Sequence, residues 1–250
     1  MKMGILQTIL KKPDIGKNLF KEVNMESINV PPTNSIRVLD GGQGWIGLLN
    51  HMGDESTITN AARVSFGKMK TEFDEKDERL LKYLIENKHF TPLEHVKFTF
   101  SVHCPLFVAR QWHRHRMENI SEISRRYTEV DMQYYVPENF RIQSENNKQA
   151  SIEGSVIENN KEAYELYKKI VNECSSAYEK LLELGVCKEQ ARGILPQTMF
   201  TTFWSTFDLR NLINFLKLRD DDHAQKEIRE YAVAMKKLIM PYVPHVMKYI

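Results

Sequence analysis

The chain has 250 residues, enough to bury a sizeable core in one large domain. With 42% hydrophobic and 27% charged residues it is neither a disordered nor a membrane composition. Lys and Arg number 35 against 33 Asp and Glu, which excludes the strong global field of a general nucleic-acid binder, so any basic site must be local.

Cys104, Cys174 and Cys187 form neither CxxC nor an even disulfide framework, so a reducing, cytoplasmic setting is expected. Lys11, Lys12 and Pro13 interrupt the early apolar stretch before it becomes a signal-peptide core, and no run approaches a membrane span.

Residues 1–34 carry weak periodicity and end in Val30-Pro31-Pro32-Thr33-Asn34, which disfavours helix and central strand. They are read as an extension, with 35–250 as the domain proper. A short strand is expected at 36–39 and a helix at 56–65. A longer helix over 74–87 gathers Leu80, Leu81, Leu84 and Ile85 on one face.

Residues 96–102 alternate at period two, as a strand with one buried face does. Pro105 then suits the first turn of a helix carrying Leu106, Phe107, Ala109 and Trp112 into Arg114. A second extended segment is expected at 132–136, and polar residues 141–160 read as a surface loop. A long helix with Ala163, Tyr167, Ile170, Cys174, Ala177 and Leu181 at helical spacing should end at Gly185. The stretch 198–207 suits a strand, and helices follow at 209–218 and 223–239. The pattern is α+β: one compact domain with a mixed or antiparallel sheet and several packed helices.

Chemistry concentrates in residues 110–127, RQWHRHRMENISEISRRY. Arg110, Arg114, Arg116, Arg125 and Arg126 stand beside His113, His115, Glu122 and Ser124, with Trp112 and Tyr127 as flat partners. Guanidinium groups bind phosphate through paired planar hydrogen bonds and keep their charge near neutral pH. The segment therefore reads as an oxyanion site rather than a solvated basic face, because the apolar residues before it would bury its helix.

These residues resemble the flavin-dependent thymidylate synthases. Arg114-His115-Arg116, seven residues and then Ser124 match that family's signature, with Glu122, Arg126 and Tyr127 in its extended form. Further blocks agree in order: Ala62 to Phe66, Thr91 to His95, Phe107 to Trp112, and Asn214 through Arg219 to Gln225. The resemblance spans about residues 36 to 240.

It implies dUMP contacts from Gln111, Trp112, His113, Arg114 and Arg192, and from Glu122, Ile123, Ser124, Arg125 and Arg126 of a neighbouring subunit, so that active sites lie between subunits. Arg219 would contact dUMP and act catalytically by favouring ionisation at N3 of the uracil, a cation placed where negative charge develops. FAD contacts are implied for Thr91, Arg114, His115, Arg116, Glu122, Arg210 and Asn214, with Ser65, His89 and His223 as secondary candidates. NADPH and 5,10-methylenetetrahydrofolate enter as cosubstrates, and a homotetramer is implied. No Rossmann glycine fingerprint is present, so the flavin would be held differently. Asn119, Ser121 and Asp208 depart from the family pattern, and Asp208 replaces an Asn expected near the flavin, where a carboxylate would repel the FAD phosphates.

The histidines lack familiar zinc spacing, so no metal is expected. Cys104 is not expected to be a nucleophile, since His103 should point to the opposite strand face, and Cys174 and Cys187 are placed in or beside an apolar helix. The alternative reading is a single-stranded nucleic-acid-binding module that pairs the Arg110–Arg126 cluster with the aromatics at 198–207. Glu118 and Glu122 inside the basic segment argue against it.

Overall fold

Five strands make one antiparallel sheet in the order β1-β2-β3-β5-β4. They are β1 (Ser35–Val38), β2 (Gly44–Met52), β3 (Lys97–Pro105), β4 (Asn119–Glu122) and β5 (Phe200–Asp208). The computed structural model describes residues 27–129, 132–145, 147 and 150–250. Ser27 to Val30 make a turn in which Val30 N donates to Ser27 O at 3.2 Å, and Pro31–Ile250 form a separate unit that holds the sheet. Residues 1–26 of the expected extension lie outside the described residues.

The sheet is built on β3 and β5, which pair without interruption from Lys97↔Asp208 to Pro105↔Phe200. Phe98, Phe100 and Val102 alternate into the core, as their spacing predicts. The expectation of a single buried face holds only for the first half of β3. From Ser101 onward both faces are covered, because Trp45 and Phe200 sandwich the His103 ring at 5.5 and 4.5 Å while Cys104 joins the main core.

Strand β2 was not expected. Its sequence, GWIGLLNHM, shows no period-two alternation, since both faces are covered from Gly44 to Leu48 and all four residues from Leu49 to Met52 are exposed. Gly44 is required there by a close approach. A Cβ at residue 44 would lie 2.1 Å from Tyr231 Oη, which donates to His103 O at 2.6 Å.

The helices follow their caps. Helix α1 (Glu55–Arg63) starts from an Asp54–Thr57 capping box and runs into a 3-10 turn at Val64–Phe66. Helix α2 (Glu75–Glu86) starts from Asp74, and its buried Asp77 takes Arg63 at 2.5 Å and Lys70 at 2.6 Å, tying α2 back to α1. Burial pushes the Asp77 carboxyl up, but bonds from Lys70, the Asp74 amide and Arg63 outweigh it and hold the group ionised.

Pro105 ends β3 and is the N-cap of α3 (Leu106–Trp112), one position before the first-turn place expected for it. Helix α4 (Asn160–Glu183) closes in a Schellman motif: Gly185, at φ 86°, donates to Leu182 O and Val186 N donates to Leu181 O, both at 2.9 Å. Helix α5 (Lys188–Ala191) precedes β5. Helices α6 (Leu209–Arg219) and α7 (Lys226–Ile239) match expectation, except that α7 starts at 226 rather than 223. A short α8 (Pro244–Met247) receives the Glu55 carboxylate on the amides of His245 and Val246 at 2.6 and 2.8 Å.

The segment expected to be extended at 132–136 makes only a bridge, Tyr134↔Met199. Helix α7 lies against β1 and β2 and touches α3 and α6. That packing brings together the carboxyl ends of α3 and α6 and the amino end of α7.

Candidate active site

Arg219, the last residue of α6, is half-buried beside the end of α3. Its Nε donates to His115 Nε2 at 2.9 Å and its Nη2 donates to Gln111 O at 3.0 Å. A guanidinium only donates, so His115 Nε2 must be unprotonated and the imidazole is the neutral Nδ1–H tautomer. Burial, followed by the Arg219 charge, lowers the His115 pKa to about 4, in accord with that tautomer. Burial also lowers the Arg219 guanidinium from its usual value, yet an arginine stays charged near neutrality. The His115 ring leans on Phe215 of α6 at 4.7 Å, so one helix supplies both the packing and the charge.

Gln111 belongs to the same cluster. Its Nε2 donates to Gln225 Oε1, and Gln225 Nε2 donates in turn to Glu227 Oε2 at 2.8 Å. Sequence reading assigned neither Gln225 nor Glu227 a role, although Gln225 closes one of the blocks that carried the resemblance.

Trp112 is fully buried, and its indole Nε1 donates to Glu118 Oε2 at 3.1 Å. Its side chain is therefore a floor beneath the cluster. Glu118, a third residue without an expected role, also accepts from Ser205 Oγ. Burial raises its carboxyl to about 7 against the pull of these two donors. His113 sets its ring edge-on to Phe203 at 5.0 Å, and its buried Nε2 has no partner among the described residues.

The helix expected to continue through the basic segment stops at Trp112, and residues 119–122 form edge strand β4, paired Asn119↔Thr206 to Glu122↔Phe203. Glu122 accepts from Thr201 Oγ1 at 2.6 Å, and Ile123 N donates to Thr202 O at 3.0 Å. Ser124 is therefore not on a helical path but opens a turn, where its Oγ accepts from Arg126 N at 3.3 Å. Arg125 is buried, close enough for its charge to act on His103 and Tyr178. Arg126 reaches Glu189 of α5 at 3.4 Å, three positions before the exposed Arg192.

A third group surrounds the start of α6. Arg210 and Asn214 are one helical turn apart, both exposed, and Arg210 Nη1 binds Glu94 Oε1 at 2.5 Å. Glu94 lies in the 3-10 turn Thr91–His95, which packs against α6 and brings exposed Thr91 alongside. Asp208 caps α6, accepting from Asn211 N at 2.9 Å and from Asn211 Nδ2 at 2.7 Å. Ser65 donates to Ala62 O at 3.2 Å, His89 is exposed, and His223, also exposed, bonds Asp221 at 2.8 Å, so none of these three joins the groups above through a hydrogen bond.

Arg110, Arg114, Arg116 and Arg192 make no ion pair among the described residues. Arg114 and Arg116 flank His115 in sequence, so two of these guanidinium groups stand next to the Arg219–His115 contact, an arrangement suited to an anionic, phosphate-bearing ligand. The nucleic-acid platform is not formed: Phe200, Phe203 and Phe207 are core residues, leaving Trp204, 49% exposed, without a flat neighbour on β5. Cys104 is fully buried and burial raises its thiol well above the ordinary range, while Cys174 is half-buried. Cys187 is exposed as the N-cap of α5, which corrects its placement within an apolar surrounding. Among the described residues no helix is long and apolar enough to cross a membrane.

The profile of the family described as "Thymidylate synthase complementing protein" matches residues 47–245. A flavin-dependent thymidylate synthase of Thermosipho melanesiensis is 43% identical over 209 residues, covering 83% of this chain and 90% of that protein. One from Thermus thermophilus is 45% identical over 210 residues, covering 84% of this chain and 76% of that protein. Among solved structures, a UMP/dUMP methylase, PolB, from Streptomyces cacaoi, bound with 5-Br dUMP, superposes with a TM-score of 0.74 at 26% identity, covering 82% of this chain and 93% of that one.

Proposed function

The chain belongs to the flavin-dependent thymidylate synthase family, and on that footing we propose that it converts dUMP to dTMP, with methylenetetrahydrofolate as carbon donor and NADPH as reductant. The observation that carries the reading is Arg219, a charged group held from behind by His115 and Gln111, with Arg114 and Arg116 on either side of His115 in sequence and without an ion pair among the described residues. A fixed cation needs no reorganisation when negative charge develops on a uracil ring, and that is where its effect on rate is largest.

Gln111, Trp112, His113, Arg114 and Arg192 bind dUMP with Arg219. Glu122, Ile123, Ser124, Arg125 and Arg126 complete the nucleotide site from a neighbouring subunit. Guanidinium groups among these residues carry the phosphate, and Ser124, whose Oγ accepts from Arg126 N, adds a hydroxyl. Support for a shared site comes from large apolar side chains left exposed beside Arg126 and Arg219: Tyr127 at 78% and Leu218 at 62%. A homotetramer is the assembly proposed, and the exposed thiol of Cys187 suits a cytoplasmic setting.

The donor chemistry fits FAD. Thr91, Arg210 and Asn214 form one polar surface along α6, and Arg114, Arg116 and the Nδ1–H of His115 add donors for phosphate and flavin oxygens, with Glu122 as an acceptor. Arg210 engages such a ligand by sharing or exchanging its bond to Glu94. When bound, FAD supplies hydride carried from NADPH.

The test is an anaerobic assay with dUMP, methylenetetrahydrofolate, FAD and NADPH, measuring dTMP directly. Purified protein should be yellow and oligomeric and should form dTMP. A folded monomer without affinity for FAD would end the assignment.

A further inference from the structure

We infer that Glu227, on α7, is a positioning residue that fixes the orientation of the Gln111 amide through Gln225, leaving the Gln111 carbonyl oxygen as the atom offered to the nucleotide. The inference rests on the dUMP site proposed above and adds to it a residue that touches no ligand.

Glu227 is buried, and Arg141 Nη2 donates to both of its oxygens, at 2.8 and 3.1 Å. Arg141 is itself held by Ser151, which accepts from its Nε at 2.7 Å. A carboxylate engaged by a guanidinium in this way is an acceptor only. The Gln225 atom 2.8 Å from Glu227 Oε2 must then be its amide nitrogen. That choice turns Gln225 Oε1 toward Gln111, where it accepts from Gln111 Nε2.

A side-chain amide alone can sit in either of two flips, but this chain permits one at each glutamine. Reversing Gln225 would set its carbonyl against the Glu227 carboxylate and its NH2 against the NH2 of Gln111. Both are repulsive contacts in a partly buried place, so each flip enforces the other. The terminal atom of the chain is Gln111 Oε1, an acceptor, on the residue whose backbone oxygen binds Arg219. It selects a donor on the nucleotide: the imide N3–H or the sugar 3′-hydroxyl.

Glu227→Gln is the informative change, because an amide at 227 can donate as well as accept and so releases Gln225 and Gln111 to flip. dUMP affinity should fall about tenfold, the cost of losing an oriented hydrogen bond in a desolvated site, with FAD affinity unchanged. Gln225→Ala cuts the same chain without disturbing the Arg141–Glu227 pair and should give the same loss, which keeps the inference testable if the first variant folds poorly.

The decisive readout is a double-mutant cycle with Gln111→Ala. An effect transmitted through Gln111 disappears in that background, whereas a general loss of packing adds to it. Removing N3–H by methylation, or the 3′-hydroxyl by deoxygenation, identifies the donor: the analogue that lacks it binds wild type and Gln111→Ala equally. Additive losses, or unchanged dUMP affinity in both Glu227→Gln and Gln225→Ala, overturn the inference while leaving the dUMP site standing. Wild-type protein that binds no dUMP overturns both.

Discussion

Arg219 Nε lies 2.9 Å from His115 Nε2, and this contact settles which proton the imidazole lacks. The histidine of the Arg-His-Arg motif is thereby a neutral hydrogen-bonding group, its Nδ1–H left as a donor, while the positive charge of the pair resides on the arginine alone. Burial and the adjacent cation act in the same direction, and the His115 pKa falls to about 4.

A pH dependence follows from that shift. The ordinary histidine pKa, near 6.5, is the unfolded value, so between about 6.5 and about 4 the unfolded chain holds the proton and the folded chain does not. Stability contributed by His115 is complete above that window and is lost as pH falls through it. His103, lowered to about 4 mainly by burial, acts in the same direction over the same range. Proton NMR of the two imidazoles should show neither titrating above pH 5. A His115 titration near 6.5 in the folded protein would contradict the tautomer derived from Arg219.

Arg219→Ala should lower dTMP formation by 100-fold or more, about 3 kcal/mol, while leaving NADPH-dependent flavin reduction nearly intact. The two half-reactions are separable by following flavin bleaching and dTMP yield in the same sample. Arg219→Lys should not rescue, because an ammonium cannot reproduce a fork that reaches His115 with one nitrogen and Gln111 O with another. Equal loss of both half-reactions would place Arg219 at the flavin or in the scaffold instead.

Asp208 has a structural reason that its sequence context did not disclose. As the N-cap of α6 its carboxylate holds the Asn211 amide at 2.9 Å, so it stabilises the helix that carries Arg210, Asn214 and Arg219. Asp208→Ala should cost about 1 kcal/mol in denaturant unfolding, whereas Asp208→Asn, an equally good cap, should be close to neutral. If the carboxylate also repels the FAD phosphates, the Asn variant will bind FAD more tightly than wild type. An alanine variant as stable as wild type would remove the capping role.

Most of the fold was legible where one local rule dominated. Asp74 before an apolar helical stripe, Gly185 after one, and the alternation of Phe98, Phe100 and Val102 each specify an element through nearby residues alone. Strands β2 and β4 were not legible for opposite reasons. β2 is buried on both sides over its first five residues and exposed over its last four, so it shows no period, while β4 is a four-residue edge strand, exposed throughout, that exists because β5 offers it a partner. The charged motif residues could be named from sequence, but the Arg141, Glu227 and Gln225 chain joins elements 84 positions apart between residues 141 and 225 and has no local pattern to reveal it.

The last prediction concerns covalent chemistry: no cysteine or serine of this chain should form a required bond to the nucleotide. Cys104 is fully buried, its thiol pushed well above the usual range, and His103 lies on the opposite strand face with Nδ1 bound to Thr202 Oγ1 at 2.7 Å. It has neither a thiolate nor a base to make one. Ser124 is no better placed. The residue opens a turn rather than riding a helix, and its Oγ accepts a hydrogen bond from the Arg126 amide instead of donating to a general base. Cys187 is the exception to burial and should react first with thiol reagents. Under native conditions a maleimide should therefore label Cys187 quickly and Cys104 only on unfolding, with dTMP formation surviving the first modification. Cys104→Ala and Ser124→Ala should each keep measurable turnover, the first with about 1–2 kcal/mol less stability from the lost core volume and the second with weaker dUMP binding. A folded, FAD-loaded, dUMP-saturated variant with no chemistry, together with a nucleotide adduct on that residue in the wild-type mass spectrum, would establish the covalent route instead.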